Sequence, residues 1–271
     1  MKRITIFWIL SLLITLATAL FQRMTGPTQP KKVHFTVGGN EYHTKLPRSI
    51  TNGDGCSVIT FTIQGLPDEV TPGVLMRKYK SADAWTLAMA VRTGDRFAVT
   101  LPALPAAAKM EYGLSFANMT MNQNDIVVVR CKEPVSAWLL IPHILLMFAA
   151  MLLSNLAGLL ALFRRERYRG FAKMAVACLV LGGIVLGSFV QKSAFGSYWT
   201  GFPLGNDLTD TKTLVVLIVW AVALIPNWRQ NRRPVWVALA AAFMLAVYCI
   251  PHSTAGSEYD YETGVVKTGM G

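Results

Sequence analysis

Long apolar stretches constrain this chain more than any other feature. They cover residues 4–21, 136–163, 172–190, 213–225 and 235–250. A helix needs about 20 apolar residues to cross the roughly 30 Å hydrocarbon core of a bilayer. With 53% hydrophobic residues in 271, the composition is also far from that of an ordinary soluble domain. We therefore predict a membrane protein with an α-helical bundle of five transmembrane helices.

Positive charge is concentrated in two of the connecting loops. The net charge is +11, and much of it falls in 164–173 and 229–233. Basic loops between apolar stretches mark the cytoplasmic side of a membrane. This predicts an inner-membrane protein with a cytoplasmic N-terminus. The segment 33–134, the loop 191–213 and the C-terminal tail are then periplasmic or extracellular. Charge placed in this way indicates topology and argues against a nucleic-acid partner.

The chain divides into five segments by composition. Residues 1–21 are an N-terminal transmembrane anchor, or a cleaved signal peptide, since Ala17-Thr18-Ala19 resembles a cleavage site. Residues 22–32 form a linker with two prolines. Residues 33–134 form an exported β domain, residues 135–250 a domain of four further helices, and residues 251–271 a polar tail.

The segment 33–134 has short alternating runs separated by turns. Ser57–Ile63 alternates with a period of two, as a half-buried strand does. About seven runs at this spacing predict an all-β sandwich. The approach to Tyr112 resembles the sixth strand of an immunoglobulin or fibronectin type III domain, which implies that Tyr112 is a corner tyrosine. We expect Trp85 to fill the core of the sandwich.

The four cysteines fall into two groups. Cys56 and Cys131 flank most of the predicted β domain and can form a disulfide if that domain is exported. Cys178 and Cys249 lie in apolar stretches and are expected to be packing residues.

The stretch 194–213 carries polar groups beside an apolar run that is too short to cross a bilayer. The 13 residues from Thr213 to Ile225 must be extended, so the helix is predicted to begin near Asp207, capped by Asn206 or Asp207. This places Asp210 and Lys212 at the outer membrane boundary. Lys212 then needs a partner, and the acidic tail offers Glu258 and Asp260. The alternative is a capped helix start with a snorkelling lysine.

Two histidines have related positions at the outer ends of predicted helices. His143 follows Pro142, and His252 follows Pro251. Two imidazoles at one depth could bind a haem b iron or another transition metal. Tyr198 and Trp199 would then form the packing wall. This order of histidine, aromatic and acidic segment, and histidine resembles the haem-handling proteins of cytochrome c maturation.

Several segments resemble an uncharacterised family of bacterial membrane proteins. The residues that carry this resemblance are Thr25–Thr28, Ile141–His143, Trp199–Pro203, Asp207–Asp210 and Pro251–Ser253. It implies an N-terminal anchor, a β-sandwich and four further helices. It implies no activity.

The sequence leaves three hypotheses for function. The first is an outward-facing haem or metal site, serving electron transfer or cofactor handling. The second is a structural or interaction subunit that binds other membrane or periplasmic proteins through the sandwich. The third is ion or proton translocation through Asp207, Asp210 and Lys212. Hydrolase, P-loop and dinucleotide-binding motifs are missing from the sequence, so an enzyme is not expected.

Overall fold

The described residues contain five apolar helices. The computed structural model describes residues 2–53, 57–102, 104–116, 125–228, 232–251 and 256–267. The helices are α1 (Lys2–Thr25), α2 (Ala137–Leu162), α3 (Tyr168–Phe195), α4 (Leu208–Leu224) and α5 (Pro234–Cys249). Helices α1 to α3, and α4 with its following turn, are long and apolar enough to cross a membrane. Helix α5 has 16 residues and falls short of that length.

Helix α3 is longer than the predicted 172–190 and contains a π-helical segment at Val180–Leu186. Two glycines in this segment allow close packing. A Cβ atom at Gly182 would lie 2.7 Å from the Leu146 Cβ atom, and one at Gly183 would lie 2.8 Å from the Thr213 Cγ2 atom. Small residues permit such contacts between membrane helices. The two glycines therefore bring α3 against both α2 and α4.

A buried polar residue, Asn227, joins three helices at the end of the bundle where α4 ends. The Asn227 Oδ1 atom accepts hydrogen bonds from the Tyr168 hydroxyl at 2.8 Å and from the Arg233 amide at 3.0 Å. Its Nδ2 group donates to the Ala223 carbonyl at 2.9 Å. One side chain thus connects the start of α3, the end of α4 and the start of α5. Between the two ends, Trp220 and Met244 lie in an apolar core.

The β region follows α1 and contains ten strands in the described residues. They are β1 (Lys31–Val37), β2 (Asn40–Leu46), β3 (Ser49–Thr51), β4 (Ser57–Thr62), β5 (Gly73–Lys78), β6 (Thr86–Met89), β7 (Val91–Thr93), β8 (Arg96–Leu101), β9 (Lys109–Ser115) and β10 (Val127–Lys132). Strands β1 and β2 form a hairpin. A five-stranded sheet has the order β3-β10-β9-β5-β6, and a three-stranded sheet has the order β4-β8-β7.

The strands of both sheets contribute to one buried apolar cluster. Ile59 and Phe97 come from the three-stranded sheet, and Val74 and Val129 come from the five-stranded sheet. Strand β4 has the strict alternation of buried and exposed residues that its sequence predicts. Strands β6 and β7 are separated by one residue and belong to different sheets, β6 to the five-stranded sheet and β7 to the three-stranded sheet.

The predicted roles of Trp85 as a core residue and of Tyr112 as a corner tyrosine are both wrong. Trp85 is only half-buried, and the Arg77 guanidinium lies 4.6 Å above its ring centre. Tyr112 is fully buried, but its hydroxyl donates to the Pro47 carbonyl at 2.7 Å. A corner tyrosine binds backbone a few residues upstream, whereas Pro47 is distant in sequence. Burial raises the pKa of Tyr112 far above its usual value, so the hydroxyl stays a neutral donor.

The predicted linker and tail are both more ordered than expected. Helix α1 continues to Thr25, and β1 begins within the predicted linker at Lys31. The tail forms a two-stranded ribbon of β11 (Glu258–Tyr259) and β12 (Val266–Lys267). The Tyr259 amide donates to the Ala107 carbonyl at 3.1 Å, so the tail docks on the β region.

We expect Tyr112→Phe to lower the free energy of unfolding of the β region by about 1–3 kcal/mol, because it leaves the Pro47 carbonyl unpaired. Pulse proteolysis in urea, applied to the full-length protein in detergent, measures this change. Tyr42→Phe is the control, because the Tyr42 hydroxyl has no hydrogen bond among the described residues. An equal loss in both variants would contradict the structural role of the Tyr112 bond.

Candidate functional site

Within the polar stretch 194–213, the loop before α4 folds back over the first turn of that helix. Asp210 holds the loop, since its Oδ2 atom accepts from the Thr200 amide at 2.7 Å and from the Thr200 hydroxyl at 3.1 Å. Gly201 lies directly against α4, and a Cβ atom there would lie 2.6 Å from both the Asp210 Cβ atom and the Thr211 amide nitrogen. Asp210 therefore has a structural partner in the loop that precedes it.

Asp207 caps α4, which confirms the predicted start of this helix. Its Oδ1 atom accepts from the Thr209 amide at 2.8 Å. Its Oδ2 atom accepts from the Ser257 amide of the tail, also at 2.8 Å. Asp207 is only 3% exposed. One carboxylate thus joins the helix bundle to the C-terminal tail.

Arg130 of β10 completes this connection from the β region. Its Nη2 group donates to the Ser257 carbonyl at 2.7 Å and to the Ser257 hydroxyl at 2.8 Å. The guanidinium also lies 3.9 Å above the ring centre of Phe195, the last residue of α3. Burial lowers the pKa of Arg130, while the negative charges of Asp207 and Glu258 oppose that shift. We call Arg130, Asp207 and Ser257 the tail junction.

A glycine makes the tail junction possible. The Arg130 Nη1 atom lies 2.7 Å from the position that a Cβ atom would take at Gly256. Any larger residue at Gly256 would push the guanidinium away from Ser257. A further bond runs beside the junction, from the Glu133 amide to the Ala194 carbonyl at 3.0 Å.

Lys212 binds the end of a helix and not the acidic tail. Its Nζ group donates to the Ile250 carbonyl at 2.7 Å, and the residue is 8% exposed. The Gln22 amide donates to the Tyr248 carbonyl at 2.9 Å. Both groups satisfy carbonyls that have no partner within α5, and the positive charge of Lys212 is favourable at this end of a helix.

The predicted partners of Lys212 have other roles. Glu258 pairs with Lys109 at 2.6 Å. Asp260 accepts from the Glu262 amide at 2.7 Å and from the Thr263 amide at 3.1 Å, within the tail turn. The predicted polar site is therefore divided between the tail junction, the α4 loop, the end of α5 and the tail turn.

His143 lies beside the π-helical segment of α3. Its Nδ1 atom is 2.8 Å from the Gly182 carbonyl oxygen. A carbonyl can only accept, so Nδ1 is the donor in this bond, and Nε2 is the ring nitrogen left for another partner. Single π-turns within helices are frequent at functional sites. His252, the other predicted ligand, lies outside the described residues.

A cavity of about 160 Å³ lies beside His143, between α1, α2 and α5. Met147 and Met151 follow His143 along one face of α2 and line the same cavity, together with Gln22 and Tyr248. The side chains predicted as a packing wall are elsewhere and do not line it. The Tyr198 ring meets the Phe189 ring at 5.6 Å between centres, and the Trp199 Nε1 group donates to the Phe202 carbonyl at 3.0 Å.

Among the described residues, no cysteine or carboxylate lines the cavity beside His143. No group of three or more histidine, cysteine, aspartate or glutamate side chains within the described residues could hold a metal ion. Cys131 is a buried free thiol, and burial raises its pKa to about 11. Cys56, its predicted disulfide partner, is not among the described residues.

Sequence reasoning did not identify Arg130, Ser257, Gln22 or the two cavity methionines. The spacing of His143, Met147 and Met151, each four residues apart, could have shown that these three share a helix face. The other contacts join residues that are distant in sequence, and no local pattern indicates them.

No known protein family matches this chain, and comparisons with curated proteins and with solved structures also gave no match.

We expect Asp207→Ala to release the tail, because it removes both the α4 cap and the acceptor of the Ser257 amide. Hydrogen–deuterium exchange in 256–267 should become roughly tenfold faster, as the loss of one charge-assisted hydrogen bond implies. Asp210→Ala is the matched control, because it removes a carboxylate of the same helix turn that binds the 194–205 loop and not the tail. Unchanged exchange in Asp207→Ala would show that the tail docks without the junction.

Proposed function

We propose that this protein is a membrane-anchored interaction subunit without enzymatic activity. In this proposal the helix bundle carries the β region on the outer face of a bacterial inner membrane, where the β region binds another protein. The observation that carries it is the tail junction, in which Arg130 of the β region and Asp207 of the helix bundle both bind Ser257 of the tail. Asp210 and Lys212 also have partners inside the protein, which favours an architectural role over ion or proton translocation.

The tail junction would hold the β region in a fixed position relative to the membrane. Hydrogen bonds to charged groups each contribute about 1.5–3 kcal/mol, and Arg130 and Asp207 make three such bonds to Ser257. The Lys109–Glu258 pair and the Tyr261 hydroxyl, which donates to the Lys109 carbonyl at 2.8 Å, attach the tail further along β9. A fixed attachment of this kind is useful when a binding domain must face one direction.

The free edge of β6 is the surface best suited to a protein partner. Strand β6 ends the five-stranded sheet, and no described strand pairs with its outer edge. Leu87 and Met89 of β6 have exposed fractions of 55% and 59%, and Val91, at the start of β7, is 70% exposed. An exposed apolar edge strand can pair with an extended segment of another chain. We interpret the two sheets as an immunoglobulin-like or fibronectin III-like sandwich, a fold whose edges commonly serve recognition.

A photo-crosslinking residue at Leu87 tests this proposal in intact membranes. We expect one discrete protein adduct from position 87, and we expect Met89→Lys to reduce its yield severalfold, because a charge opposes burial of the edge. The same crosslinker at the exposed residue Thr60, on β4, is the control. Equal adducts from both positions, or none from position 87, would argue against β6 as the binding edge.

A soft metal ion at His143 is a second candidate function. The fixed imidazole leaves Nε2 for another partner, and the same cavity is lined by Met147 and Met151. Nitrogen and thioether ligands select copper(I). The cavity of about 160 Å³ fits a single ion better than a haem macrocycle. In the haem version of this hypothesis, His252 supplies the second ligand to the iron.

We expect purified protein to bind one equivalent of copper(I) under reducing conditions, and Met147→Leu to weaken this binding at least tenfold. Competition with a chromogenic copper(I) chelator measures the affinity. Met174→Leu is the matched control, because Met174 is an exposed methionine of α3 outside this cavity. A Soret band on addition of haem, lost in His143→Ala, would favour haem instead. No binding of either in folded protein would remove the cofactor hypothesis.

A further inference from the structure

A basic pocket lies at the end of the bundle opposite the β region. It has a volume of about 530 Å³ and is formed where the loop after α2 meets the start of α5. Its lining includes three arginines and one glutamate, namely Arg164, Arg232, Arg233 and Glu166. The pocket therefore carries an excess of positive charge and favours an anion.

Two of the three arginines have no internal partner among the described residues. Arg232 pairs with Glu166 at 2.7 Å. Arg164 and Arg233 make no side-chain hydrogen bond or ion pair within the described part of the chain. Arg164 also has a positive φ of 53°, a backbone conformation that is unfavourable for a residue with a side chain. Both guanidinium groups are thus available to bind a ligand.

An apolar groove continues from this pocket along the bundle. It has a volume of about 590 Å³ and shares Arg164, Pro234 and Val235 with the basic pocket. Leu159 and Leu162 of α2 form one wall, and the other wall comes from α5. The α5 residues that line it are Ala238, Leu239, Ala241, Ala242 and Leu245. The small alanine side chains leave the space that the groove occupies.

We propose that the basic pocket and the apolar groove together bind one anionic phospholipid. Arg164 and Arg233 bind its phosphate, and the groove between α2 and α5 holds an acyl chain. The two parts match the two ends of such a lipid, because the basic pocket and the apolar groove are adjacent and share lining residues. Basic pockets between membrane helices are known to select anionic headgroups. This site is independent of the interaction surface on β6.

Native mass spectrometry of the full-length protein tests the site. The protein is released from mixed micelles that contain equal amounts of palmitoyl-oleoyl phosphatidylglycerol and phosphatidylcholine. We expect one retained phosphatidylglycerol per chain. Each arginine near a membrane surface contributes about 1 kcal/mol to the binding of anionic lipid, so Arg164→Gln with Arg233→Gln should weaken binding roughly thirtyfold. Arg165→Gln with Arg167→Gln is the control, because it removes equal charge from the same loop region outside the pocket.

A second pair of variants tests the groove. Ala242→Phe fills it from an exposed position and should displace the lipid, whereas Ala246→Phe places the same ring on α5 outside the groove and should have no effect. Glycerol phosphate, which has the headgroup chemistry without acyl chains, should not compete at millimolar concentration.

Three results would overturn the proposal. The first is equal retention of the two lipids, and the second is equal weakening by both arginine pairs. The third is a dimer mass without lipid that is lost in Ala242→Phe, which would assign the groove to a second copy of the chain. Thermal unfolding in detergent shows whether each variant is folded. If Ala242→Phe does not fold, the two arginine pairs still test the proposal.

Discussion

The helices are apolar enough to span a membrane, where polar groups find no water, and this constraint accounts for the polar contacts of the helix bundle. Several polar side chains along the apolar helices bind one another or backbone carbonyls. The Asn155 amide donates to the Thr15 hydroxyl at 3.0 Å, and the Thr15 hydroxyl donates to the Ser11 carbonyl at 2.7 Å. Lys212 and Asn227 follow the same rule at opposite ends of α4. The Asn155–Thr15 bond joins α2 to α1, and the bond from Lys212 joins α4 to the end of α5.

The same constraint connects the bundle to the rest of the protein. Where α4 begins, Asp207 is buried and needs donors in addition to its own helix amides. The tail provides one through the Ser257 amide, and Arg130 holds the same tail residue from the β region. A charged group that is expensive to bury thus becomes the point at which three parts of the chain meet. This is the physical basis for a β region mounted in a fixed orientation.

Much of the fold could be predicted from the sequence, because its signals are local. The apolar stretches locate all five helices, and the alternation in Ser57–Ile63 identifies β4. The length of the run after Thr213 placed the start of α4 near Asp207, and the cap confirms it. The partner of Lys212 could not be predicted in this way. Glu258 and Asp260 have the right charge, but Lys109 and the tail turn bind them instead.

The sequence by itself determined the five apolar helices, the presence of a β region and the polar residues that would need partners, because apolar periodicity, capping and the cost of burying charge act over short distances. Only the tertiary structure decided which residues are the partners of these polar groups. It placed Arg130 against Ser257, His143 against the Gly182 carbonyl, and Arg164 beside Arg233 at the mouth of an apolar groove. These contacts join residues from separate elements, and their existence depends on how the elements pack. The candidate sites of this protein are therefore properties of its packing.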